Sequence, residues 1–320
     1  MSQILAVFGA TGQQGSSVID YVLEDAALSR KYKLRAITRD PDSIKARRLA
    51  DRNIEVIRGD LHDADSLDRA LAGVHVVFLV TVPDFTPDAL QNEFRAAKNA
   101  ADVACSKGAR YIIFSTLPSV SDISGGKFNS VAMFDAKARA EAYIRSLPIK
   151  SAFYSPGSFM ENYITVAAPK RCQDGDGAYI MSMHVSPRTT VPLIDAQGDT
   201  GKFIGSILAH PDEHDGRVVY GAERLYSLEE IALAMGKATG QQVIYRQVSA
   251  EEYQAAVPFG GDILVQTMGY FEEFGYYGGA TGELVASAAQ SARGGLTSFE
   301  EFLAKHSSRL IVMFPKINQD

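Results

Sequence analysis

The stretch Ile4-Leu5-Ala6-Val7-Phe8 runs directly into Gly9-Ala10-Thr11-Gly12-Gln13-Gln14-Gly15, and a helical pattern follows. An apolar run of this length reads as a buried parallel strand, the glycines as a tight turn, and the residues after them as a helix with an open N-terminus. Glycines let a backbone approach a pyrophosphate closely, and the unpaired N–H groups of a helix start complement its charge. The spacing is GxxGxxG rather than GxGxxG. Its place between strand and helix points to dinucleotide binding rather than to a purely structural turn. The candidate contacts here are Gly9, Thr11, Gly12, Gln13, Gln14 and Gly15.

Outward from that turn, apolar runs and helical patterns alternate. Strands are expected at residues 4–8, 34–38, 54–58, 74–80, 111–114 and 151–154, with helices near 13–25, 42–52, 65–72, 87–107 and 133–147. Continuous apolar strands joined through helices imply right-handed βαβ crossovers. Thr86-Pro87-Asp88 has the form of a helix cap followed by a first-turn proline, and Gly108 suits the end of the same helix. Beyond about residue 155 the pattern loosens. Ser227–Glu230, Ser249–Glu252 and Thr297–Glu300 have the spacing of capping boxes. A glycine-rich aromatic stretch from Phe259 to Gly295 reads as core and loop, with a substrate cleft as the alternative. The fold class expected is α/β: a Rossmann doubly wound parallel sheet with a smaller C-terminal α+β lobe. The division expected is 1–155 for the nucleotide domain, completed by segments within 186–222, and 156–320 for the smaller lobe.

A chain of 320 residues with 46% hydrophobic content can build such a core. Two cysteines, Cys105 and Cys172, are too few for a disulfide framework and lack metal-ligand spacing. A net charge of −6 argues against direct nucleic-acid binding. With no apolar run of membrane-spanning length and no signal peptide, the expected setting is cytoplasmic, with the nucleus as a second location. No metal site is expected. His210 and His214 are four apart, but Pro211 and the acids around it make a loop of that segment.

The end of the second strand bears on which dinucleotide binds. An acid there accepts from the ribose 2′-hydroxyl of NAD, whereas a cation is needed for the 2′-phosphate of NADP. Here Thr38 and Arg39 favour NADP(H) over NAD(H), Asp40 just beyond weakens that case, and Lys45 is a further contributor. Asp60, after the third strand, is placed to accept from an adenine amino group or to cap the next helix. Leu61 would cover the adenine face. Thr81, after the fourth strand, lies on the pyrophosphate side.

The order GATGQQG, TRDP, GDL resembles the extended and atypical short-chain dehydrogenase/reductases, and within them the NmrA-like family. The same resemblance is carried by Tyr111–Ser115, Met133–Lys137 and Ser155-Pro-Gly-Ser-Phe159-Met-Glu161-Asn162. Active members of the wider group use a tyrosine four residues before a lysine. The tyrosine moves the proton at the substrate oxygen; the lysine lowers its pKa and holds the nicotinamide ribose. Lys137 stands at the lysine position, either as that ribose contact or as an exposed lysine on a polar helix face. Met133 occupies the tyrosine position and cannot transfer a proton. The resemblance therefore implies an NADP(H)-binding regulatory protein, a redox sensor with little or no dehydrogenase activity. Its implied partners include transcription factors or signalling proteins. The alternative is a reductase of the isoflavone-reductase-like type acting on a small carbonyl or enal, with Lys137, Glu161, Tyr163 or a water supplying the proton. Ser115 and Thr116 either orient a substrate or ribose hydroxyl or serve as structural caps, and Pro156, Gly157 and Phe159 would wall the nicotinamide end. The Ser- and Gly-rich segment Ser119–Ser130 reads as a mobile loop beside it.

Overall fold

The structure, a computed structural model, describes residues 2–83, 86, 88–172, 177–257 and 260–315. The first half runs β1 (Gln3–Phe8), α1 (Gln13–Glu24), α2 (Ala26–Lys31), β2 (Tyr32–Thr38), α3 (Ile44–Ala50), β3 (Glu55–Arg58), α4 (Ala64–Ala70), β4 (Val76–Leu79), α5 (Ala89–Ser106), β5 (Tyr111–Ser115), α6 (Val120–Ile123), α7 (Ala132–Arg145) and β6 (Lys150–Pro156). The second half runs β7 (Ser158–Phe159), β8 (Lys170–Arg171), β9 (Tyr179–Met183), β10 (Thr190–Ile194), α8 (Ala196–Ala209), β11 (Val218–Gly221), β12 (Arg224–Ser227), α9 (Leu228–Thr239) and β13 (Val243–Gln247). It ends with α10 (Ala250–Ala256), α11 (Gly261–Phe274), α12 (Thr281–Ala288), α13 (Phe299–Lys305) and α14 (Ser307–Met313).

Seven strands form one parallel sheet in the order β11-β6-β5-β4-β1-β2-β3. Successive side chains alternate between its faces. Leu5, Val7, Ala36, Phe78, Ile113 and Tyr154 meet α1 and α8 on one side. Ala6, Phe8, Ile37, Leu79, Phe114 and Phe153 meet α4, α5 and α7 on the other. Both faces are thus buried, which is why the strands read as unbroken apolar runs. Helix α8 lies almost on the backbone of α1: a Cβ at Gly201 would come within 2.3 Å of the Ser17 carbonyl oxygen, and one at Gly205 within 2.2 Å of the Tyr21 ring. The Gly201 N–H donates to Ser17 Oγ at 2.8 Å.

Two three-stranded sheets, β12-β10-β7 and β13-β9-β8, build the second lobe with α9–α14. Its core is aromatic, with Tyr163, Tyr226, Tyr270, Phe271, Tyr276, Tyr277, Phe299 and Phe302 buried. The aromatic stretch of the sequence is therefore core over its described part; Phe259 lies outside the described residues. Helix α7 belongs to both cores, since Phe134 packs on Phe271 and Tyr276 while Ala140 and Ile144 pack under the parallel sheet.

Several local expectations are corrected. Asp25 ends α1 with an extended backbone and its carboxylate caps α2, accepting from the Ala27 and Leu28 N–H groups, so β2 starts at Tyr32. The third capping box is Ser298 with Glu301, one residue later than expected, because the Thr297 N–H and hydroxyl both donate to the Asp199 carboxylate. The segment Ser119–Ser130 is tied down. Asp135 accepts from Ser119 Oγ and the Ser121 N–H, and Gln266 Oε1 accepts from the Asn129 and Ser130 N–H groups. Gly108 takes the left-handed conformation just after α5 (φ +78°). Pro87, at that helix's start, lies outside the described residues.

Candidate functional site

The glycine turn is shaped by sterics that only hydrogen satisfies. Gly9 has φ +62°, and a Cβ there would also sit 2.8 Å from Val80 Cγ1. A Cβ on Gly15 would lie 2.2 Å from the Gly9 carbonyl oxygen. The Gly12 N–H donates to that same oxygen at 2.8 Å. Gly12 is the exposed N-cap of α1, with no side chain capping the helix, so the first-turn amides are available to an anion. A cavity of about 280 Å³ opens here, lined by Thr11, Gly12, Gln13, Lys45, Arg48 and Gln197. Two cations beside an uncapped helix N-terminus suit a polyphosphate. Arg48 and Gln197 were not among the residues expected from sequence.

The remaining candidates line the carboxyl ends of the strands, where ligands of open α/β sheets bind. Thr38 ends β2 and Arg39 follows it, beside Gly59 and Asp60 just after β3, and the Gly59 N–H donates to the Thr38 carbonyl. Arg39 is exposed and makes no hydrogen bond or ion pair among the described residues. Asp40, the acid that weakened the NADP reading, is engaged locally and accepts from the Asp42 N–H at 3.0 Å. Asp60 accepts from the His62 N–H, while the cap of α4 is Asp63, which accepts from Asp65 and Ser66. Asp60 is therefore not the helix cap. Leu61 is half-buried next to it, its carbonyl accepting from Asn99. Across the turn, Ser115 Oγ donates to Gln14 Oε1 at 2.9 Å, tying the helix start to the end of β5.

Lys137 is buried, not an exposed lysine on a polar face. Its ammonium is 2.6 Å from Glu93 Oε1 and donates to Thr81 Oγ1 at 2.6 Å and to the Thr81 carbonyl at 3.3 Å. Thr81 Oγ1 in turn donates to Glu93 Oε1 at 2.6 Å. An ammonium has three donors, and all three are engaged. Glu93 escaped the sequence reading, although a signal existed: it stands in register with Ala89, Ala96, Ala97, Ala100 and Ala104 on the buried stripe of α5. A carboxylate on such a stripe requires a partner.

Met133 is half-buried on the second-lobe core, one turn before Lys137. The structure also places the two alternative proton donors. Glu161 is buried and its carboxylate accepts from the Ala196 and Gln197 N–H groups at the start of α8; burial raises its carboxyl above the usual range. Tyr163 is buried in the aromatic core, and desolvation pushes its phenol up. Pro156 ends β6, Gly157 packs on the Pro192 backbone, and Phe159 pairs with Ile194 in β7. The structure thus joins Thr11 to Lys45, Gln14 to Ser115 and Thr81 to Lys137. It leaves Arg39 at the rim, and His210 and His214 in the turn after α8. The arrangement suits an anionic dinucleotide.

Comparison with known proteins agrees with this architecture. The family model described as the NmrA-like family matches residues 1–303. An NmrA-like family domain-containing protein of Dictyostelium discoideum is 27% identical over 316 residues, covering 97% of this chain and 100% of that protein. The NmrA-like family domain-containing oxidoreductase FrzB of a Cladobotryum species is 29% identical, covering 78% of this chain and 77% of its own. Among solved structures, NmrA, a negative transcriptional regulator in complex with NADP, superposes with a TM-score of 0.76 at 22% identity over 95% of each chain.

Proposed function

The chain belongs to the NmrA-like family, and from that premise we propose that it is an NADP(H)-binding regulatory protein that reports the cofactor's redox state with little or no turnover. The observation that carries this reading is the contrast within one site: the glycine cradle is intact, while the proton-donor position is a methionine packed on a core. The α1 amides and Gly9–Gly15 would hold the pyrophosphate. Thr38 and Arg39, with Lys45 and Arg48 nearby, would hold the 2′-phosphate. Asp60 and Leu61 would meet the adenine, and Thr81, Ser115, Lys137, Pro156 and Phe159 border the nicotinamide end. Bound NADPH supplies a hydride; Met133 supplies no proton to accompany it. The output is a change in affinity for a transcription factor or signalling protein, in the cytoplasm or nucleus. NAD(H) is the less favoured cofactor.

A reductase acting on a small carbonyl or enal is the second reading, favoured by the relative named as an oxidoreductase. The two separate when stoichiometric protein is incubated with NADPH and a panel of carbonyl and enal compounds, with nicotinamide absorbance and fluorescence followed for hours. Bound, unconsumed NADPH is expected. Saturable consumption that disappears in Lys137→Ala would replace the regulator with the reductase. Met133→Tyr alone should gain no turnover, because no donor of Lys137 is left for the new phenol.

Cofactor choice has its own test. Arg39→Ala should weaken NADP(H) about tenfold, the value of a charge-assisted phosphate contact, while leaving NAD(H) within about twofold. Equal losses for both dinucleotides, by titration of intrinsic fluorescence, would remove Arg39 from the phosphate site.

A further inference from the structure

Resting on that reading, we propose that the buried Glu93–Lys137 pair sets the site's preference between oxidised and reduced dinucleotide. The nicotinamide ring carries a positive charge in NADP⁺ and none in NADPH, and the rest of the molecule is the same. Only charge close to the ring can therefore tell the two forms apart electrostatically. A dinucleotide with its pyrophosphate on the glycine turn and its adenosine half over β2 and β3 places its other half over the ends of β4 and β5. Thr81, two residues beyond β4, touches both Lys137 and Glu93 there.

Both charges are withdrawn from solvent: the Lys137 and Glu93 side chains are 8% and 2% exposed. Salt therefore screens them poorly. At 2.6 Å apart they cancel as seen from the ring, so the site presents a poised, nearly neutral dipole. The packing of α5 does not itself call for a carboxylate at this point, since the neighbouring stripe positions are alanine. Glu93 is thus a positioning residue that acts through Lys137, holding it and masking its charge.

The test is the ratio of dissociation constants, Kd(NADP⁺)/Kd(NADPH), in four proteins. Glu93→Gln leaves the ammonium unmasked and should raise the ratio about tenfold; Lys137→Met leaves the carboxylate and should lower it by a similar factor. The double variant should return it to the wild-type value within about twofold. Affinity for 2′,5′-ADP, which lacks the nicotinamide half, should stay within about twofold throughout. A merely structural role would shift NADP⁺ and NADPH together, and that result overturns the proposal. If either single variant does not fold, the other single variant and the double variant still give a signed answer. A wild-type protein that binds neither NADP(H) nor 2′,5′-ADP would instead sink the cofactor reading itself.

Discussion

Lys137→Met should cost the protein about 3–5 kcal/mol of folding stability, because it strands the Glu93 carboxylate in the interior without its counter-ion. The contacts leave that carboxylate little relief: its Oε1 accepts from Thr81 Oγ1 and lies 2.6 Å from the ammonium, and the Glu93 side chain is 2% exposed. The double variant Lys137→Met/Glu93→Gln should recover most of the loss, since removing both charges removes the desolvation penalty along with the attraction. Urea unfolding followed by circular dichroism measures all the corners of this cycle. A single-variant loss below about 1 kcal/mol would place the pair in the class of solvated surface bridges and refute its burial.

Gly15→Ala should abolish dinucleotide binding through the protein's own turn rather than through the ligand. The added Cβ would meet backbone at 2.2 Å from the Gly9 oxygen and 2.6 Å from its carbon, and backbone cannot rotate away as a flexible side chain can. The turn must open, displacing the start of α1. Gly12→Val differs in kind. Its Cβ would be 3.3 Å from the Gly9 oxygen, on an exposed residue, so the fold should persist while the valine methyls fill the place of the anion. Both variants should bind NADP(H) about a hundredfold more weakly or worse, since each removes the anion's seat on the helix amides. Thermal melting separates them: Gly12→Val should melt near the wild type and Gly15→Ala well below it. Binding retained in Gly12→Val would mean that ligand does not approach this turn.

Much of this architecture was legible in the residues because its signals are local. The strand-turn-helix at residues 4–24, the apolar strands and two of the capping boxes each lie within one short window. Glu93 and Lys137 are 44 positions apart, and their partnership arises only when α5 and α7 pack side by side; no spacing rule connects them. The same holds for Arg48 and Gln197, which reach the glycine turn from α3 and α8. Glu161 is a further case of distance in sequence. Its oxygens accept from the first N–H groups of a helix that starts 35 residues later, a contact that no local window shows. Asp25 leaves little trace in the sequence, because a single residue that both ends one helix and starts the next breaks the apolar periodicity only slightly.

The close fit of α8 to α1 decides how the protein can be taken apart. A fragment ending at residue 155 would carry the glycine turn and nearly all of β1–β6. It would nevertheless expose the face of α1 around Ser17 and Tyr21 that Gly201 and Gly205 are shaped to meet, and it would leave the edge of β6 without β11. Such a bare strand edge beside an uncovered apolar layer invites association with other chains. Deletion mapping of a binding partner should therefore cut within surface turns of the second lobe or use point substitutions. A truncation at the apparent boundary would report aggregation, not the loss of an interface.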